Sequence, residues 1–139
     1  MGVIKSRPEL SIAAKFITKA EFDVKLRNKA ELFTVFVPNN AAFKNLEKTI
    51  DNMSIRELAK FIGRHKVSGH GRLMSTKLDE RNGWMITVDN YNEFGNIIFQ
   101  RKDGFLTARE PKGMDKSRKV LEADILSSNG VIHIIEGIL

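Results

Sequence analysis

The sequence has no cysteine and only three prolines, one tryptophan and one tyrosine among 139 residues. Without cysteine the chain cannot form a disulfide, use a thiol nucleophile or bind zinc through sulfur. No apolar run reaches the roughly 18–20 residues of a membrane-spanning helix. A chain of this length can bury a large core without a metal or a disulfide. We therefore expect one domain over residues 1–139, with residues 1–8 as a flexible or cloning-derived lead-in.

Charge of one sign predominates. The formal net charge is +6 and the pI is about 9.7, which favours acidic partners such as polysaccharides, anionic membranes or nucleic acid. Aromatic side chains that stack on bases are expected among the cations of a nucleic-acid site, but Trp84 and Tyr91 lie outside both basic clusters described below. An acidic polysaccharide or cell surface therefore ranks above DNA or RNA.

Hydrophobic periodicity predicts helices first and hairpin-linked strands later, which indicates an α+β domain. A helix is predicted from Glu9 to Ala20, and the following EFDVKLRN fits either a strand or a second short helix. Asn82-Gly83 and Asp103-Gly104 are typical of tight turns between strands. The strands are predicted at Leu32 to Val37 and at residues 84–88, 96–100, 105–109, 120–125 and 131–135.

An abrupt corner is predicted within FTVFVPNNAAF, residues 33–43. Pro38 ends the strand because it lacks the N–H that a β-ladder needs. Asn39 or Asn40 can then cap a helix over residues 41–46 with a side-chain oxygen. Three residues of that helix are expected to face inward: Ala42, Phe43 and Leu46.

A second helix signal begins at Ser54, where Glu57 three residues later completes a capping box. The same serine completes the glycosylation sequon Asn52-Met53-Ser54, so two interpretations of this tripeptide stay open. His65 ends the helix, where the helix dipole would favour a positive imidazolium.

Two separated stretches together resemble the fasciclin-like domain family: FTVFVPNNAAFKNL, residues 33–46, and EADILSSNGVIHIIEGIL, residues 122–139. Between them, FIGRHKVSG at residues 61–69 lies where that family carries a Tyr-His pair and a glycine. Here Arg64 replaces the tyrosine and Ser68 replaces a common proline. The resemblance implies an α+β fold, a wedge-shaped β-sandwich edged by several α-helices. Its motif residues, which we expect to be structural, are Pro38, Asn39, Phe43, His65, Asn129, Gly130 and His133.

The resemblance also implies a function: a non-enzymatic adhesion or interaction module that binds a cell-surface or matrix protein or glycan. Its location would be extracellular, cell-surface or periplasmic, with any signal sequence or anchor outside this chain. Asp124 and Ile125 occupy the place of an Asp-Ile pair proposed to contact integrins in animal members, which makes them candidate partner-binding residues. In the alternative interpretation Ile125 is core and Asp124 accepts backbone N–H groups in a turn.

A basic helix face provides a second hypothesis, polyanion binding, for example to a sulfated polysaccharide. Residues 56–77 contain six Lys or Arg against the single acid Glu57, and several recur every four residues. A solvated face that keeps the protein soluble is the alternative. The candidate polyanion-binding residues are Arg56, Lys60, Arg64, Lys66 and Arg72, and a second basic group comprises Arg109, Lys112, Lys116, Arg118 and Lys119.

The sequence contains no familiar catalytic or metal-binding pattern. The three histidines lack the i, i+4 spacing of a helical ligand pair, so no metal or cofactor is predicted. No GxSxG, HExxH or phosphate-binding glycine loop occurs, so no catalytic residue is assigned. A small-molecule binder or hydrolase that uses a cleft stays as a third hypothesis, because a fold does not fix a function.

Overall fold

The computed structural model describes residues 2–26, 32–68, 71–80, 85–88, 95–102, 104–109 and 117–139. Short helices dominate the first half of the chain, which also contains two 3₁₀ turns, Pro8–Leu10 and Asn40–Phe43. The α-helices are α1 (Gly2–Lys5), α2 (Ser11–Lys19), α3 (Asp23–Leu26), α4 (Glu47–Asp51), α5 (Ile55–Gly63) and α6 (Ser75–Glu80).

The described strands form one sheet in the order β2-β1-β7-β6-β5-β4-β3. β1 and β7 pair in parallel, from Phe33 opposite Gly130 to Pro38 opposite Ile135, and the other neighbours are antiparallel. β2 and β3 stand at opposite ends of this order yet contact each other, so the sheet curls on itself. The strands are β1 (Phe33–Pro38), β2 (Lys66–Ser68), β3 (Met85–Val88), β4 (Gly95–Lys102), β5 (Phe105–Arg109), β6 (Arg118–Ser127) and β7 (Gly130–Ile135).

Two hydrophobic clusters lie on the two faces of the central strands. β1 directs Val35 and Val37 to the cluster under helices α1–α5, and Phe36 to the cluster enclosed by the curled sheet. This alternation follows from the two-residue period of a strand. All six residues of β1 and all six of β7 are buried, so these two strands are central in the fold.

The N-cap half of the predicted capping box at α5 is confirmed, since the Ser54 hydroxyl accepts the Glu57 N–H at 3.1 Å. Within the ambiguous EFDVKLRN, Asp23–Leu26 form the short helix α3, in which Val24 is 69% exposed and Leu26 is buried. Gly104 has φ +83° and lies between paired Lys102 and Phe105, as a tight hairpin requires. Asp103 and the Asn82-Gly83 turn lie outside the described residues.

Two expectations about the first half of the chain need correction. The lead-in over residues 1–8 contains α1 and the start of a 3₁₀ turn, and Ile4 is only 1% exposed because it packs in the helix-side core. The helix predicted over residues 41–46 is the 3₁₀ turn Asn40–Phe43, and Leu46 is 42% exposed. A new helix, α4, starts directly after Leu46, so Leu46 lies at a junction and does not face the core.

Candidate functional site

The corner after β1 is held by Asn39. Its carboxamide oxygen accepts the Ala42 N–H at 3.1 Å, and its own N–H donates to the Ile135 carbonyl at 3.1 Å. Phe43 ends the turn and packs against Phe16 of α2, with ring centroids 5.5 Å apart. The capping role predicted for Asn39 is confirmed, and the corner joins the central strands to the helix layer.

Asn40 has a different role, which the sequence did not indicate. Its Oδ1 accepts the Ile12 N–H at 3.0 Å, and its Nδ2 donates to the Pro8 carbonyl at 3.1 Å and the Ser11 hydroxyl at 3.0 Å. This side chain satisfies a free N–H at the start of α2. Its partners are distant in sequence, so local patterns carry no signal for it.

His65 is buried and neutral, which corrects the expected imidazolium. Its Nδ1–H donates to the Phe61 carbonyl at 2.9 Å, and its Nε2 accepts the Leu139 N–H at 3.1 Å. Burial, and to a smaller extent the charge of Arg64, lowers the pKa of His65 to about 4. Desolvation outweighs the helix dipole here. Through its two hydrogen bonds, His65 joins the end of α5 to the C-terminal residues.

The turn between β6 and β7 is anchored by Asn129, which is 4% exposed. Its Nδ2 donates to the Leu26 carbonyl, and its own carbonyl accepts the Phe33 N–H at 3.1 Å. At the next residue, a Cβ on Gly130 would lie 2.5 Å from the Phe33 carbonyl oxygen. Close approach of two strands therefore requires glycine at this position.

His133 is fully buried in β7, stacked on Phe36 with centroids 5.3 Å apart. Its Nε2–H donates to the Leu73 carbonyl at 2.8 Å, and its Nδ1 accepts the Asp124 N–H at 3.2 Å. Burial lowers the pKa of His133. The neutral ring thus connects β7 to β6 and to the segment before α6, in agreement with a structural role.

Asp124 lies in an irregular part of β6, where the pairing register shifts between Glu122 and Ile125, and its φ is +61°. Its carboxylate accepts both the N–H of Ser75, at 2.7 Å, and the Ser75 hydroxyl. Ile125 is half-buried against the helix-side core. Asp124 therefore accepts a backbone N–H, as in the structural interpretation, but at the start of α6 and not in the turn near Ser127.

The basic face of α5 consists of three of the five candidate residues: exposed Arg56 and Arg64, and half-buried Lys60. Their spacing of four places them along one side of the helix. We call these three residues the α5 basic face.

Lys66 and Arg72 do not extend that face, which corrects the predicted cluster of five. Lys66 is 3% exposed, with its Nζ 5.9 Å from the centroid of the Phe33 ring. Arg72 directs its guanidinium to three backbone carbonyls of the β6–β7 turn, those of Ser127, Ser128 and Gly130, at 2.9–3.2 Å. Both side chains make contacts within the fold and are not part of the α5 basic face.

The model of the fasciclin domain family matches residues 8–139. The chain belongs to the fasciclin family. It is 30% identical over 123 residues to human periostin, a match that covers 83% of this chain and 13% of periostin. Its structure matches that of a FAS1 domain pair from the insect cell adhesion molecule fasciclin I, with a TM-score of 0.80 and 20% identity. The match covers 98% of this chain and 48% of that one. The chain thus spans less than half of either relative.

In this fasciclin domain, the two stretches that carried the resemblance contain the adjacent parallel strands β1 and β7, and the second stretch also contains the end of β6. The predicted α+β fasciclin fold is confirmed. Among the described residues, no helix is both long and apolar enough to cross a bilayer.

The described part of the fasciclin domain groups no three His, Asp or Glu side chains that could hold a metal ion. Ser75, Asp124 and His133 lie together but do not form a catalytic triad. The serine hydroxyl donates directly to the carboxylate, and both ring nitrogens of His133 are bonded to backbone groups. A triad needs the imidazole between the serine and the carboxylate.

A small cavity lies between α2, β1 and α5, with a lining that is almost wholly apolar and includes Phe16, Phe43 and Phe61. His65 also lines it, but both of its ring nitrogens are bonded. The cavity thus adds no support to the small-molecule or hydrolase hypothesis, which stays a prediction.

Proposed function

We propose that this fasciclin domain is a non-enzymatic module that acts outside the cytoplasm and binds a cell-surface or matrix partner. The observation that carries the proposal is the likeness, over 98% of this chain, to a domain pair whose parent is a cell adhesion molecule. The hydrogen bonds of the buried residues His65, Asn129 and His133 support the proposal. These motif residues stabilise the scaffold, so recognition is left to exposed side chains.

The proposed contact is the irregular part of β6, residues Asp124 and Ile125 with the adjacent Leu126. Leu126 is 60% exposed, whereas Asp124 and Ile125 are half-buried. Exposed apolar side chains next to a carboxylate can combine an anchor with a directional polar contact. Because the carboxylate already binds Ser75, a partner would have to share it with α6.

Binding of the full chain to cultured cells and to a panel of immobilised matrix proteins tests this proposal. Asp124→Asn keeps one acceptor oxygen, and asparagine tolerates the positive φ of this position. Leu126→Ser removes the apolar anchor. Each is expected to weaken binding at least about tenfold if the site is central. Val24→Ser, at an apolar residue that is 69% exposed elsewhere, is the matched control.

The outcomes separate the site from the function. Equal binding by wild type and both site variants would show that the contact does not lie on β6. Absence of any retention by cells or matrix proteins, or turnover of a substrate by the isolated chain, would overturn the proposed function. Thermal unfolding of Asp124→Asn shows whether a binding loss reflects only the lost contact with Ser75.

A second candidate function, polyanion binding, is favoured by the α5 basic face. Reversal of Arg56, Lys60 and Arg64 to glutamate is expected to lower the salt concentration that elutes the protein from heparin. The matched control reverses three exposed lysines elsewhere, Lys5, Lys44 and Lys48, and so changes the net charge equally. Equal shifts in both variants would show that net charge, not this face, determines retention.

A further inference from the structure

Two exposed apolar side chains lie on the outer side of β5 and β6, away from the surfaces described above. Phe105 is 44% and Leu121 is 50% exposed. Their neighbours Leu106 and Val120 point into the sheet-side core, so alternation places Phe105 and Leu121 outside. Thr107 pairs with Lys119, and Phe105 and Leu121 each lie two residues beyond that antiparallel pair, towards the same end.

Cations border this apolar pair. Lys119 places its Nζ 4.6 Å from the centroid of the Phe105 ring, and exposed Lys102 pairs with Phe105 across the β4–β5 hairpin. Over residues 101–119 the sequence has seven Lys or Arg and three acidic residues. We call Lys102, Phe105, Lys119 and Leu121 the hairpin face.

The described acids at its edge are already engaged. Glu122 receives two hydrogen bonds from the Arg7 guanidinium, at 2.7 and 3.1 Å. Glu136 accepts the backbone N–H of Lys119 at 3.3 Å, which leaves the Lys119 ammonium over the aromatic ring. The three acids counted in residues 101–119, Asp103, Glu110 and Asp115, lie outside the described residues.

We propose that the hairpin face docks on an anionic lipid bilayer. Lysines beside anionic headgroups each strengthen binding about fivefold, and exposed Phe and Leu side chains enter the boundary between headgroups and acyl chains. Charge complementarity alone would fit a sulfated polysaccharide as well. The apolar pair decides between the two, because Leu121 can stabilise contact with a bilayer but offers a sulfated sugar no polar or stacking contact. This surface is separate from β6 residues 124–126 and from the α5 basic face.

Co-sedimentation of the full chain with phosphatidylcholine vesicles, with and without phosphatidylserine, tests the proposal. Binding is expected only with the anionic lipid. Lys102→Gln with Lys119→Gln is expected to weaken it about 25-fold, and Phe105→Ser with Leu121→Ser at least about tenfold. In a Phe105→Trp variant, the added tryptophan emission is expected to shift to shorter wavelength when anionic vesicles are added.

Matched controls remove exposed lysines and exposed apolar side chains elsewhere: Lys44→Gln with Lys48→Gln, and Val24→Ser with Leu46→Ser. Thermal unfolding confirms that each variant is folded. Wild-type binding that is equal without phosphatidylserine, or full affinity in the Phe105/Leu121 variant, would overturn the proposal. Retention on heparin that depends on Lys102 and Lys119, without vesicle binding, would assign the face to sulfated glycans and also overturn it.

Discussion

At Gly130 the backbone of the neighbouring strand β1 leaves no room for a side chain. A Cβ there would lie 2.5 Å from the Phe33 carbonyl oxygen and 2.9 Å from two ring carbons of Phe33. Gly130→Ala is expected to lower the free energy of unfolding by roughly 1–3 kcal/mol, because β1 and β7 must separate or the ring must leave its site. Urea unfolding measures this.

Gly2→Ala provides the control for this prediction. No atom lies within 4 Å of a Cβ at Gly2. Its effect is expected to stay within about 0.5 kcal/mol. If the two variants were equally stable, the close approach of β1 and β7 would not limit the residue at position 130.

His65 gives the domain a pH dependence with a definite sign. Its pKa is about 4 in the fold against 6.5 for an unperturbed histidine, so the unfolded chain binds the proton more readily. The stability that neutral His65 contributes is present above pH 6.5 and is lost as the pH falls towards 4, by up to about 3 kcal/mol. His133, whose pKa is also lowered, adds a loss of the same sign.

Comparison with His65→Gln isolates this effect. The variant is expected to be less stable at pH 7, because a fitted donor–acceptor pair is lost, yet to lose less stability than wild type between pH 6.5 and 4. Chemical unfolding at a series of pH values gives both curves. Parallel curves would mean that His65 is not buried in its neutral form.

At the element scale, α5 depends on its cap. Ser54→Ala removes the acceptor of the Glu57 N–H and is expected to lower the free energy of unfolding by about 1 kcal/mol. Ser54→Asp keeps an acceptor at the N-cap and is expected to retain most of the stability. Thermal unfolding of the two variants checks the prediction, and equal losses would show that the side-chain oxygen is not the stabilising group.

Elements with strong local signals were predictable from the sequence. The Ser54 cap, the helical period of α2 and the β-branched run of β1 are set by neighbouring residues, and the structure agrees with all three. The prediction of a helix over residues 41–46 was wrong because Asn39 caps only a 3₁₀ turn, and the separate helix α4 starts after it.

The sequence was less informative wherever the deciding partner is distant. Lys66 and Arg72 read as surface cations, but their environment comes from β1 and from the β6–β7 turn. The expected charge of His65 was wrong for the same reason, since its burial depends on the C-terminal residues. The family resemblance supplied the wedge-shaped β-sandwich edged by helices, which local patterns alone did not.

At the scale of the whole molecule, the two hydrophobic cores are joined through the backbone of β1. Val35 and Val37 enter the helix-side core, and Phe36, between them, enters the sheet-side core. Neither core can lose its packing against β1 without disturbing the other. We therefore expect the described domain to unfold in one cooperative transition.

Two matched variants test this coupling. Phe16 lies in the helix-side core and Phe99 in the sheet-side core, and both are at most 1% exposed. Phe16→Ala and Phe99→Ala are each expected to destabilise the protein by about 3–5 kcal/mol and to shift one shared midpoint. Far-ultraviolet circular dichroism and tryptophan fluorescence are expected to report coincident urea transitions in both variants. A strand shared by both cores cannot be folded on one face only. Two separated transitions in either variant would therefore show that the cores are independent units and that β1 does not couple them.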